Sequence, residues 1–348
     1  MSETRGYAAT AVGKPLGPFS FSRREPGPND VLIDIRYCGI CHSDVHQARD
    51  EWGGSIFPMV PGHEIVGTVA QVGARVKRIK IGNMVGVGCM VDSCRTCKPC
   101  KQGKEQYCDT HVSWTYNGTE MDQKTPTYGG YSKQIVVDQR YILRMPGKLS
   151  PEQAAPLLCA GITTYSPLRH WKVGRRDRLA VVGFGGLGHM AVKIGAALGA
   201  EVTVLSHSEK KRKDAKRLGA ADFVLVSDSA LLAALNRRFD FVLDTVSAQH
   251  DMNAYLETLK TDGTLILVGA PDTPLSINAL HLVIRRRRLV GSLVGGIEET
   301  QEMLDFCAEH RIPADVEVIP IQEVNEAYDR VVRGDVRYRF VIDMKSLG

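Results

Sequence analysis

The sequence predicts an α/β protein in two parts, a β-rich portion followed by a doubly wound parallel sheet wrapped by helices. Three observations carry this. Up to about residue 90, short apolar stretches are broken by glycines, as many short strands and tight turns require. From about residue 155, strand patterns alternate with helical ones, which means a parallel sheet. Between one such strand and helix lies a G-x-G-x-x-G run, Gly183–Gly188. A chain of 348 residues also exceeds one ordinary core, so two domains are expected.

In chain order, residues 31–37 partly alternate as a half-buried strand, 65–72 form an apolar strand, and 82–88 read as a turn and a short strand. Residues 156–165 are apolar and helical and contain Cys159. Strands follow at 179–182, 201–205, 241–244, 264–268 and 289–294, with helices from Gly188 to about Leu198 and from Lys210 to Leu218. Helical patterns at 298–310 and 324–333 and a strand at 338–343 close the chain.

Composition narrows the function. The hydrophobic fraction is 43% and the charged fraction 24%, ordinary for a globular protein. No apolar run approaches a membrane span, and the start lacks the apolar core of an export signal, so a cytoplasmic location is expected. Net charge is +5 without a basic tail. The one dense basic cluster, residues 285–288, reads as a solvated helix end, and no nucleic acid partner is expected.

Cys41–His46 and His63–Glu64 place thiolate, imidazole and carboxylate close in sequence, the donors zinc prefers. Two or three of them, with one donor from elsewhere, would leave a coordination position open for a water or a substrate oxygen, the pattern of a catalytic zinc. Cys94, Cys97, Cys100 and Cys108 have the spacing C-x2-C-x2-C-x7-C in a polar loop at about 93–110. Four thiolates there can close a tetrahedron around a structural zinc. An iron–sulfur cluster is the rival, disfavoured because the loop lacks the Cys-Pro ending of the bacterial cluster run.

In the glycine run, Gly183 allows the tight turn, Gly185 lets backbone approach a pyrophosphate, and Gly188 permits close helix–strand packing. Phe184, Gly186 and Leu187 complete a dinucleotide site at the helix N-terminus. A carboxylate at the end of the second strand would select NAD. Here stand Ser206, His207 and Ser208, then Glu209, Lys210, Lys211 and Arg212. Hydroxyls and cations suit a 2′-phosphate, so NADP(H) is the expected cofactor; the same three cations would equally serve as a solvated helix face.

Taken together, these pieces resemble the zinc-dependent medium-chain alcohol dehydrogenases, in the branch of cinnamyl alcohol dehydrogenases and bacterial broad-specificity aldehyde reductases. The matching segments are 37–44, 61–67 continuing to Gly73 and Val76, the four-cysteine loop, 156–161, 183–188 and 335–342. The resemblance implies a GroES-like catalytic domain (1–155), a Rossmann domain (156–295) and a return to the first domain (296–348). It also implies Cys41, His63 and Cys159 as catalytic zinc ligands, with Glu64 able to join them, and so two Zn2+ per chain. Ser43 would contact the substrate oxygen, His46 would end a proton relay, and Asp44 would orient ligands. His42, Thr245, Gly269, Ser292, Leu293 and Val294 would touch the cofactor, and a homodimer would form along 289–294.

The expected reaction is hydride transfer between NADPH and an aldehyde, giving a primary alcohol, with aromatic or cinnamyl-type aldehydes among the substrates. Trp52 is expected to line the substrate pocket, and Trp114 and Tyr116 either line it or belong to the core. A zinc-dependent polyol or formaldehyde dehydrogenase is the alternative among enzymes, and a non-catalytic NADPH-binding sensor is the alternative outside them. Cys38, Cys89 and Cys307 match no ligand position and read as small buried apolar residues.

Overall fold

The computed structural model describes residues 2–271 and 273–348, which form two compact units: those up to residue 162 with 295–348, and those between 163 and 294.

The first unit is built on a seven-stranded sheet. Its longest strand, Asp30–Ile40, is covered on one side by Ile65–Val72. On the other side Gln134–Asp138 pairs with its beginning and Arg339–Asp343 with its end. The C-terminal segment therefore completes the sheet of the first unit. Val31, Ile33 and Ile35 point inward and are buried, the period-2 pattern of a half-buried strand. This strand runs straight into the helix His42–Ala48.

The second unit holds six parallel strands in the order 222–225, 201–206, 178–182, 239–244, 259–267 and 288–291. In chain order this is 3-2-1-4-5-6, the Rossmann arrangement. The strand order reverses between Arg178–Val182 and Phe239–Asp244, and ligands of such sheets bind at the carboxyl ends of strands at that reversal. Ala180, Val182, Leu205, Val242, Leu256 and Leu265 form part of its buried core.

Two expected elements differ. The last strand is Arg288–Gly291 rather than 289–294, because its ladder to Thr264–Leu267 stops at Gly291. Ser292–Val294 lie beyond it, and Val294 has φ +36°, which no strand accommodates. The expected helix 156–165 is interrupted: a 3-10 turn spans Ala155–Leu158, Cys159 has non-helical φ −127° and ψ −67°, and the helix proper is Ala160–His170.

Candidate active site

Cys41 directly follows the long strand and caps the helix His42–Ala48, so rigid elements on both sides aim its thiol. Its amide donates to Asp44 Oδ2 at 2.7 Å. Asp44 is fully buried and also accepts from the Gly62 amide at 3.3 Å and the Tyr131 hydroxyl at 3.4 Å. Its Oδ1 stands 3.1 Å from His63 Nδ1. One carboxylate thus ties the Cys41 segment to the His63 segment. With Nδ1–H donated to Asp44, Nε2 is the nitrogen left to give up its proton to a metal, the arrangement of a metal-ligating imidazole. Burial alone would lower the His63 pKa, but the charge of Asp44 outweighs it and holds it well above the ordinary value.

Cys159 reaches the same place from the break before the helix Ala160–His170. Its sulfur is 3.8 Å from that of Cys41. This contact, with the charge of Arg339, outweighs burial and holds the Cys41 thiol well below its ordinary range. Donor atoms of Cys41, His63, Glu64 and Cys159 all lie within 4.8 Å of one another, and all four residues are buried. Two sulfurs, an imidazole nitrogen and a carboxylate fit zinc.

Glu64 is fully buried and paired with the buried guanidinium of Arg339, on the returning strand Arg339–Asp343. Burial pushes its carboxyl pKa up, and the charge of Arg339 opposes that rise. Its Oε2 has no hydrogen-bond partner among the described residues. The carboxylate fits because residue 39 is glycine: a Cβ there would collide with Glu64 Oε2. The family resemblance assigned Arg339 no role. Its signal was a cation inside an apolar strand, which demands a buried partner.

Ser43 and His46 lie three apart on the helix His42–Ala48 and so share a face. The His46 ring is stacked between His42 (4.7 Å) and Trp52 (4.8 Å). Its Nδ1 bonds the Glu51 carboxylate, while its Nε2 is buried without a partner among the described residues. Tyr116 is buried and stacked on His63 at 5.7 Å. Trp114 is half-buried on a strand paired with Met90. Trp52 and Tyr116 are thus brought to His46 and His63. Of the three spare cysteines, Cys38 and Cys307 are buried. Cys89 differs: it is half-buried, donates to the Leu158 carbonyl at 3.8 Å and reaches the Cys159 thiol.

The second cluster gathers Cys94, Cys97, Cys100 and Cys108 within 4.8 Å. Amides of Cys94 and Cys97 point at the sulfurs of Cys108 and Cys94, both at 3.4 Å. Amides of Thr96 and Cys97 bring the Cys94 thiol down to about 5. Donors already oriented toward thiolates fit a bound cation, with no oxygen or nitrogen side chain in the set.

In the second unit Gly183 has φ +83°, and Gly188 has room only for hydrogen against the Gly183 carbonyl. A Cβ on Gly185 would meet nothing within 4 Å, so the turn opens onto free space at the start of the helix Gly188–Ala197. This fits a pyrophosphate. Ser206 is buried and accepts from the Ser208 amide at 3.3 Å; His207 and Lys210 are exposed. Lys211 Nζ donates to the Phe184 carbonyl at 2.9 Å, which places one cation at the turn itself. Arg212 is held by Glu209 and by the Phe223 carbonyl. Thr245 Oγ1 donates to the Val182 carbonyl at 2.7 Å, and Gly269 packs on the Val246 backbone.

A GroES-like unit with a mixed sulfur, nitrogen and oxygen donor set, and a Rossmann unit with an open glycine turn, define a zinc-binding dehydrogenase. The family models agree: residues 27–147 match the alcohol dehydrogenase GroES-like domain, and residues 186–309 match the zinc-binding dehydrogenase. The chain belongs to this alcohol dehydrogenase family. It is 54% identical to NADP-dependent alcohol dehydrogenase C 1 of Mycolicibacterium smegmatis, covering 100% of this chain and 99% of the relative. It is 53% identical to the aldehyde reductase YahK of Escherichia coli, with 99% of each covered. Its fold matches the cinnamyl alcohol dehydrogenase SbCAD4 of Sorghum bicolor with a TM-score of 0.97 at 45% identity, covering 99% of this chain and 98% of that one.

Proposed function

We propose that this protein is an NADP-dependent alcohol dehydrogenase that works as a broad-specificity aldehyde reductase: aldehyde, NADPH and a proton give a primary alcohol and NADP+. The observation that carries the reading is the buried Cys41–His63–Glu64–Cys159 cluster, whose donors suit zinc. The relatives' names, an NADP-dependent alcohol dehydrogenase and an aldehyde reductase, support it. When bound, zinc supplies a Lewis acid for a carbonyl oxygen and NADPH supplies the hydride.

The chain's own residues do the rest. Cys41, His63 and Cys159 hold the catalytic zinc, and Glu64 stands beside them; Cys94, Cys97, Cys100 and Cys108 hold a second, structural zinc. Asp44 keeps His63 in the tautomer that ligates. Ser43 delivers a proton to the product oxygen, and His46, on the same helix face, replenishes it. The buried His46 Nε2, without a partner among the described residues, supports that relay. Lys211 at the glycine turn, with Ser206 and Ser208, receives the 2′-phosphate. Trp52 and Tyr116, beside His46 and His63, line the aldehyde side.

The protein is cytoplasmic and homodimeric in this reading. The strand Arg288–Gly291 lies at one end of its sheet, and the nearby Leu280, Val283 and Ile284 are exposed, which suits continuation of the sheet into a second copy.

An NADPH-oxidation assay over aliphatic, aromatic and cinnamyl aldehydes, formaldehyde and sugar aldehydes tests the reading, repeated with NADH. Turnover of aromatic and cinnamyl aldehydes with a higher kcat/KM for NADPH is expected. Turnover confined to formaldehyde or sugars would give the alternative dehydrogenases, and none at all would give a sensor.

A further inference from the structure

The loop of residues 245–250 follows the strand Phe239–Asp244 and packs on the glycine turn. A Cβ on Gly183 would meet Val246 and Thr245 Oγ1 at 2.8 and 3.0 Å, and the Val246 backbone fills the space beside Gly269. The far end of this loop is closed by His250. Its Nε2 is 2.8 Å from Asp244 Oδ2, and its Nδ1 is 2.8 Å from the Ala248 carbonyl. A carboxylate and a carbonyl both accept, so the two bonds form together only when both ring nitrogens carry hydrogen. The other oxygen of the buried Asp244 accepts from the Val246 amide at 3.0 Å. One carboxylate therefore grips the loop at both ends.

We propose that His250 is a positioning residue for NADP(H): as an imidazolium it clamps the loop 245–250 against the glycine turn, and the clamp loosens when the ring loses its proton. This rests on the reading that Gly183–Gly188 holds NADP(H). The charged and titratable groups facing the ring are Asp244 on the preceding strand, and Asp251 and Tyr255 at and on the following helix, Met252–Glu257. The hydrogen bond to Asp244 outweighs burial and raises the His250 pKa above its ordinary value. A raised histidine holds its contribution at low pH and loses it as pH climbs through the raised value. NADPH binding therefore weakens on the alkaline side. By reciprocity, bound NADPH raises the pH at which His250 deprotonates by the same factor.

The test uses the full chain with 13C-labelled histidine, titrated by NMR with and without saturating NADPH. His250 is assigned from H250Q or, should that variant not fold, H250N. NADPH Kd is measured over the same pH range by cofactor fluorescence. The expected result is a higher His250 pKa in the complex and a Kd that weakens about five- to tenfold across that transition. In H250Q the corresponding step is gone; the 2′-phosphate titrates in both chains and cancels from the comparison. If NADPH binds and His250 titrates at the same pH free and bound, the clamp is refuted and the cofactor reading stands. If wild-type protein binds no NADPH, both fall.

Discussion

The two donor clusters of the first unit offer four side chains each within the same 4.8 Å, yet they are assembled in opposite ways. The cysteine lobe draws all its donors from Cys94–Cys108, uses sulfur alone, and is oriented by neighbouring backbone amides. The other cluster draws on Cys41, His63, Glu64 and Cys159, mixes three elements, and is oriented by side chains from remote segments, Asp44 and Arg339. A local cluster needs only short loops closed, at small entropic cost. A dispersed one exists only when the sheet carrying its strands is formed. The difference teaches where each is vulnerable: the lobe through its own residues, the dispersed cluster through the fold.

C41S draws the line most sharply. Aldehyde reduction should fall about a thousandfold, the several kcal/mol that a Lewis acid supplies, while zinc measured by mass spectrometry drops from two to one per chain. Full turnover with one metal would erase the distinction. Next in size is R339L, which strands the Glu64 carboxyl in the interior. Removing one partner of a buried ion pair costs about 3–5 kcal/mol, read as a lower denaturant midpoint. E64Q/R339L should recover part of that loss, and equal, additive losses would mean the pair is not coupled.

A relay through His46 predicts about a hundredfold lower turnover for H46Q. The pH–rate profile should change with zinc content intact; an unchanged profile removes His46 from the path. Smallest in its effect on chemistry is C100S in the lobe. Thermal unfolding should begin earlier and the structural zinc should be lost, while kcat of protein still folded stays within about twofold. A loss of kcat matching that of C41S would show the lobe to be part of the active site.

Much of this was legible in the chain. Locally written features came through: the strand at 65–72, the glycine turn and its helix, and the spacing of the four lobe cysteines. The hairpin Ser2–Ala8 with Gly17–Arg23 and the strand Val316–Pro320 were not individually read: the first strand buries Thr4, Gly6 and Ala8 and the last buries Ile319 alone, so pairing rather than apolar pattern decides them. At the site, donor types and their order were visible, whereas the partners that orient them were not. Arg339 meets Glu64 across 275 positions. His250 meets Asp244 in a loop where no spacing rule applies. The break at Cys159 was hidden because the apolar pattern continues through it, although Pro156 marks the 3-10 turn.

The absent side chain at residue 39 has a consequence for how this sequence can drift. Glu64 occupies the space one methyl group would need. In a library randomised at position 39 and selected for aldehyde reduction, glycine alone should survive, while position 17, with open space around it, accepts many residues. Such a site is inherited as a pair of positions, one carboxylate and one vacancy, and neither can mutate first.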